Sequence, residues 1–147
     1  TGLVNQGWRD SVDSVFHADG TLARGAIALC EVQAYVYAAR LAAANMATAL
    51  GARVQAETLR TQAALLRDQF EEAFWDEELG TYVLALDGDK RPCRVRASNA
   101  GYALYTGIAL PERAEAVARI RAYLNDTAQR HVMTLRNAGP RWVLDAS

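Results

Sequence analysis

The chain lacks the charge excess that nucleic-acid-binding proteins carry. Its 147 residues include 16 basic and 17 acidic side chains, and the formal net charge is -1. Lysine and arginine form no cluster interleaved with aromatic residues, so the surface that would bind phosphates is missing. We therefore predict no nucleic-acid partner.

Cysteine is scarce, and its spacing argues against the usual cysteine-based sites. Cys30 and Cys93 are the two cysteines, and they lie far apart without a CxxC pair. Cys30 falls in an apolar helical segment, where a small buried thiol is the common outcome. The sequence therefore favours free thiols in a reducing, cytoplasmic compartment. No HExxH motif or Gly-rich phosphate loop occurs, and we predict no cofactor and no metal.

An uninterrupted hydrophobic segment is also missing. Residues 26–50 are long enough to suggest a membrane span, but Glu31, Gln33, Arg40 and Asn45 interrupt them throughout. No signal peptide is visible. The segment is therefore predicted to be a soluble, Ala-rich helix, and no membrane partner is expected.

Two long helices are predicted from the spacing of apolar residues. Steps of three and four place one set of residues on a single face of the first helix: Leu29, Val32, Val36, Ala39, Ala43, Met46 and Leu50. Gly51 is expected to end this helix. The second helix carries an apolar stripe of Leu59, Ala63, Leu66, Phe70 and Ala73 opposite a charged face that should be solvated. The two are predicted to form an antiparallel hairpin.

A short β-hairpin and further helices are predicted after residue 75. A β-prone run at residues 81–86 precedes the turn signal Asp87-Gly88-Asp89, and residues 93–96 could form the return strand. Ser98 is a plausible N-cap for the next helix, and Pro111 suits the first turn of another. Residues 126–147 show no clear period and are predicted to be irregular.

An aspartate beside an indole suggests a carbohydrate site near the start of the chain. Glycoside hydrolysis usually needs two carboxyl groups, one protonated and one ionised. Asp10 is the candidate acid, because the flat face of Trp8 would stack on a sugar and a nearby apolar wall would raise a carboxyl pKa. A capping or salt-bridged aspartate is the alternative, and Asp13 could take the same role.

Two polar residues stand near the start of the first long helix. Glu31 and Gln33 lie in an otherwise apolar segment, where an unpaired buried polar group costs about 1–3 kcal/mol. They could bind sugar hydroxyls, or Arg9, Arg24 or a neighbouring helix end could satisfy them.

A metal site is the weakest of the candidates. Asp13 and His17 lie four residues apart, with Asp19 close by and His131 distant, and these groups could hold a divalent ion if they converged. Such a pair is more often a surface or capping contact.

Several separate segments resemble one protein family, in the same order. They are Asn5–Ser11, Phe16–Gly20, Ala28–Tyr37, Leu84–Gly88, Lys90–Cys93 and Ala97–Gly101. The chain from Asn5 to Arg121 is similar to the glycosidase domain of bacterial glycogen-debranching-type proteins, the amylo-α-1,6-glucosidase group. The resemblance implies a mainly α fold of paired antiparallel helices, part of an (α/α)6 toroid, with one short β-hairpin. It places the toroid-like domain at residues 1–125 and a divergent tail at 126–147.

The resemblance also implies roles for individual residues. Asp10 matches the aspartate that acts as general acid in the larger group, although Arg9 stands where relatives often carry Met. Glu31 and Gln33 match an acid-x-amide pair that lines the pocket. Gln6 and Trp8 complete the expected substrate-binding set, and the expected ligand is an α-glucan or a small α-glucoside.

The resemblance weakens towards the end of the sequence. The family's second catalytic carboxylate is expected beyond a segment that residues 134–143 do not match, so the resemblance does not imply activity of this chain alone. Half of a toroid would expose an apolar surface, which favours a homodimer. Three hypotheses result: a truncated glycoside hydrolase acting on α-glucosides, a non-catalytic helical homodimer, and a promiscuous hydrolase whose site forms at a dimer interface.

Overall fold

The computed structural model describes residues 13–119, and the predicted mainly α class is confirmed there. Two long helices, α1 (Cys30–Ala49) and α2 (Arg53–Phe74), form the predicted hairpin. A short helix α3 (Gly101–Thr106) packs against α1. The predicted boundary at residue 125 lies outside the described residues. Within these residues, no helix is both long and apolar enough to cross a membrane.

The tight connection between α1 and α2 follows from Gly51, as predicted. Gly51 adopts φ +78°, a left-handed conformation that glycine reaches without a Cβ penalty. Its backbone N–H donates to the Thr48 carbonyl at 3.0 Å, and Ala52 donates to the Ala47 carbonyl at 2.8 Å. These bonds satisfy the last carbonyls of α1 and reverse the chain after one turn.

The face of α1 that is buried differs from the stripe marked by periodicity. The buried positions are Cys30, Glu31, Ala34, Tyr37, Ala44 and Ala47, whereas Val36, Ala39, Met46 and Leu50 of the predicted stripe are exposed. Three of these six buried residues are alanines, whose small side chains allow a neighbouring helix to approach closely. Because α1 is apolar on more than one side, periodicity alone could not select the buried side.

The core forms where α2 meets the strands that follow it. Phe70 stacks on Phe74 with ring centroids 4.9 Å apart and contacts Tyr82 at 4.7 Å. Each fully buried aromatic side chain of this kind contributes about 1.5–3 kcal/mol. The predicted stripe of α2 is buried at Ala63 and Phe70, but Phe74 takes the place of the exposed Ala73.

Two charged residues of α2 do not lie on a solvated face, which corrects the prediction. Arg67 donates to the Tyr37 hydroxyl on α1 and to the Gly107 carbonyl, the latter at 2.6 Å. Glu71 accepts from the Tyr82 hydroxyl at 2.8 Å and pairs with Arg113 at 2.7 Å. These side chains therefore connect α2 to the other elements of the core.

The β structure is more extensive than the single predicted hairpin. Strands β2 (Trp75–Asp76) and β3 (Thr81–Tyr82) pair around a turn, and β4 (Ala85–Leu86) pairs with β5 (Pro92–Cys93) across the turn at Asp87. Strand β1 (Ala28–Leu29) adds to β4, giving the order β1-β4-β5. Residues 28–29 were expected to be helical, but pairing with β4 provides partners for their backbone groups, so the helix begins at Cys30.

The segment after β5 begins helically at Ser98, although not through the predicted cap. A 3-10 turn (Ser98–Ala100) leads directly into α3, and the residue at the capping position is Ala97, with no side-chain cap. Ser98 is therefore the first residue of the turn. Pro111 opens a second 3-10 turn (Pro111–Arg113), as expected for a first-turn proline, and residues 114–119 are helical.

Candidate functional site

The structure tests only part of the predicted site. Gln6, Trp8 and Asp10 lie outside the described residues, as does His131, so their predicted roles stay predictions. Glu31 and Gln33 lie in the first turn of α1, directly after β1. The backbone N–H of Cys30 donates to the Leu84 carbonyl at 3.1 Å, which anchors this turn to the sheet.

Glu31 is the most unusual polar residue of the described chain. Its side chain is only 2% exposed. Its Oε2 atom is buried, and none of residues 13–119 provides a hydrogen-bond partner for it. The positive end of the α1 dipole favours a negative charge in this turn. The dipole does not, however, provide the hydrogen bond that the buried Oε2 atom lacks. Within the described part of the chain, Glu31 is therefore a buried carboxylate with one unused acceptor.

Gln33 does not share the side of α1 on which Glu31 lies. Two residues correspond to about 200° around an α-helix, so neighbours at this spacing do not face each other. Gln33 is partly buried, whereas Glu31 is fully buried. The assignment of both residues to one sugar pocket remains a prediction.

Tyr35 lies one helical turn after Glu31 and was not identified from the sequence. Its ring contacts Tyr102 of α3 edge to face, with centroids 5.2 Å apart and an interplanar angle of 68°. Desolvation, the Tyr102 hydroxyl and the charge of Glu31 raise the pKa of Tyr35 to about 12. The spacing of four residues from Glu31 is the sequence signal that could have identified it.

His17 pairs with Asp87 rather than with Asp13. The His17 Nε2 atom lies 3.2 Å from Asp87 Oδ2. Residues 13–17 form a turn and a bend, not a helix, so the four-residue spacing does not bring Asp13 and His17 together. Asp19 instead accepts hydrogen bonds from the backbone and hydroxyl of Thr21, which lower its pKa.

Asp87 organises the turn between β4 and β5. Its carboxylate accepts bonds from the Asp89 and Arg91 backbone N–H groups, each at 2.9 Å, and from the Arg91 side chain. Desolvation would raise the pKa of Asp87, but these bonds outweigh it and hold that pKa below its usual value. The 3.2 Å approach of His17 Nε2 to Asp87 Oδ2 therefore places His17 against this turn.

The remaining titratable side chains form no metal centre in the described region. Between residues 13 and 119, no group of three or more His, Cys, Asp or Glu side chains is placed to hold a metal ion. Cys30 and Cys93 are both buried and unpaired with each other. Burial raises the pKa of the Cys93 thiol to about 11, so it is protonated and unreactive at neutral pH.

Comparison with known families places the chain among the glycoside hydrolases. A family model described as the mannosylglycerate hydrolase MGH1-like glycoside hydrolase domain matches residues 5–140. The chain belongs to this family. The predicted glycosidase resemblance is thereby confirmed for the glycoside hydrolase domain, and the match includes Asp10, Glu31 and Gln33. A search of curated proteins finds no match to this chain.

Proposed function

We propose that this MGH1-like domain binds α-glucosides of the glycogen-debranching type at the start of α1. The observation that carries the proposal is the buried Glu31 carboxylate, whose Oε2 has no partner in the described structure. Specific ligand sites are mostly apolar and contain a few placed polar groups. Glu31, surrounded by apolar residues of α1 and beside Tyr35, fits that pattern.

The proposed chemistry is hydrolysis of an α-glucosidic bond, with Asp10 as general acid. Gln6, Trp8 and Gln33 are the other proposed sugar-binding residues, all by resemblance. An inverting mechanism requires a second carboxyl group about 6.5–9.5 Å from the first. Efficient turnover therefore depends on a second carboxylate, and binding is the property to test first.

The test compares the linkage and the charge of the ligand. Isomaltose and maltose, which are α-1,6- and α-1,4-linked, should bind, and Glu31→Gln should weaken binding about tenfold or more. Glu57→Gln, at an exposed position of α2, is the matched control and should bind normally. Mannosylglycerate, taken from the family's description, tests the competing assignment. Preference for it over both glucosides would refute the proposal.

Hydrolysis is tested separately with Asp10→Asn. If the purified protein releases glucose from isomaltose, this variant should lower the rate by a factor of 100 or more, because it removes the proposed proton donor. Turnover that is unaffected by the substitution would exclude Asp10 as the acid.

A second candidate function is a helical homodimer, and exposed apolar residues around the α1–α2 connection favour it. Met46 near the end of α1, Leu50 directly after it and Val54 in the first turn of α2 are exposed for 62%, 85% and 84% of their surface. Arg40 is the one charged residue between positions 32 and 52, and it turns towards α2, where it donates to the Gln62 carbonyl at 2.9 Å. Residues 32–52 therefore present no other charge to a second copy, although the exposed Arg53 and Glu57 lie beside Val54 on α2.

The size of this surface predicts weak association. Its exposed apolar side chains, Val36 included, leave on the order of 400 Å² uncovered, within the range of functional patches on monomers. A stable interface usually buries about 800 Å² on each partner. We therefore expect a dimer that forms only at high protein concentration. Size-exclusion chromatography with light scattering measures the molar mass at each concentration. Leu50→Lys should abolish it, and a monomer at every concentration would contradict the dimer.

A further inference from the structure

We propose that Tyr35, held in place by Tyr102, is an aromatic platform on which a neutral pyranose stacks beside Glu31. The inference rests on the proposed sugar-binding function and names a binding residue and a ligand class for that same site. Three features of the described residues carry it: the position of Tyr35 relative to Glu31, the fixed orientation of its ring, and the charge of the surroundings.

Position is the first feature. Tyr35 follows Glu31 by four residues on α1, so the two side chains lie on one face, about 6 Å apart along the helix axis. Glu31 is 2% exposed and Tyr35 is 41% exposed. Tyr35 is therefore the solvent-facing neighbour of the buried carboxylate. A ligand in contact with this ring would lie about one helical turn from Glu31, whose Oε2 is buried.

Orientation of the ring is the second feature. Tyr102 contacts Tyr35 edge to face with centroids 5.2 Å apart, and Tyr102 belongs to α3, which packs on α1. A ring held by a second ring loses little freedom when a ligand binds, which favours affinity. Tyr105, one turn later on α3, is 86% exposed. An exposed tyrosine without such support makes a natural comparison.

Charge is the third feature, and it indicates the class of ligand. One face of a pyranose presents C–H groups that pack on an aromatic ring, while its hydroxyls donate hydrogen bonds to carboxylates. Glu31 supplies an acceptor and a negative charge, and no ion pair to it occurs among residues 13–119. An anionic sugar would be repelled. The geometry therefore favours a neutral α-glucoside.

The experiment measures binding of isomaltotriose by calorimetry to the wild type and to three variants. Tyr35→Ala should weaken binding about tenfold, whereas Tyr35→Phe, which keeps the ring, should stay within about twofold. Tyr105→Ala is the control and should bind as the wild type does. Methyl α-D-glucopyranoside should give a stronger saturation-transfer NMR signal than its anionic counterpart, methyl α-D-glucuronide.

The outcomes separate this inference from the proposed function. If the wild type binds and Glu31→Gln weakens binding while Tyr35→Ala does not, the platform is wrong and the sugar site remains. If the wild type binds no isomaltotriose, both are wrong. A measurement on the wild type guards against misfolding of the variant: the ring protons of Tyr35 should shift during the titration, and unchanged resonances would refute stacking.

Discussion

Replacing Glu31 with methionine should stabilise the protein while removing sugar binding. The side chain is buried, and its Oε2 atom has no hydrogen-bond partner in the described structure. Methionine has a similar length and a similar helix propensity but no polar oxygen to satisfy. A residue kept for binding at the expense of stability behaves in this way, whereas a structural residue does not.

The expected gain in the free energy of unfolding follows from two opposing contributions. Removing a buried, unsatisfied acceptor relieves about 1–3 kcal/mol. Loss of the interaction between Glu31 and the positive end of the α1 dipole destabilises the protein by about 0.3–1 kcal/mol. The net increase in the free energy of unfolding is therefore about 0–2.7 kcal/mol, with a central value of about 1.4 kcal/mol. At this chain length, the central value corresponds to a rise in Tm of about 4 °C.

Urea denaturation followed by circular dichroism measures the change, with Glu57→Met as the matched control. Glu57 is exposed on α2, so its substitution should alter the free energy of unfolding by no more than about 0.5 kcal/mol. A Glu31→Met variant that is less stable than the wild type would refute the reasoning, because it would mean that the carboxylate has a structural partner.

Three further predictions concern the framework of the site. Phe70→Ala should lower the free energy of unfolding by about 3–5 kcal/mol, measured by urea titration; a loss below 1 kcal/mol would contradict its core position. The lowered pKa of Asp87 stabilises the fold above its unfolded pKa of about 3.9. That contribution disappears as the pH falls through the folded value, so Asp87→Asn should flatten the acid limb of a stability curve, and an unchanged limb would argue against this role. Gly88→Ala should destabilise the protein, because the added Cβ would lie 2.9 Å from the Arg24 carbonyl oxygen. Gly101→Ala should raise the free energy of unfolding by about 0.5–1 kcal/mol, because a Cβ there would have no atom within 4 Å. Equal melting temperatures of the two variants would contradict this contrast.

Local signals in the sequence predicted the main elements of the fold. Gly51 marked the reversal between the two helices, and the Asp87-Gly88 turn marked the β4–β5 hairpin. Such features depend on conformational preferences of a few neighbouring residues, so they can be read without knowledge of the fold. The mainly helical class followed from the same kind of signal.

The candidate site was predictable only in part. Glu31 stood out because a charged residue interrupts an apolar helix. Tyr35 did not stand out, because an aromatic residue in such a helix is usually core, and its significance depends on contact with Tyr102, far away in the sequence. The four-residue spacing of Asp13 and His17 was not informative, since the chain between them is not helical and His17 lies beside Asp87 instead.

By itself, the sequence determined where the helices and turns lie, because spacing, glycine and turn residues act over a few positions. Tertiary structure alone decided which side of the apolar α1 is buried, that Ala28 and Leu29 pair with β4, and that Glu31 is left with an unused acceptor beside Tyr35. Each of these depends on which distant segment packs nearby. Local periodicity carries no information about that choice when a helix is apolar on several sides.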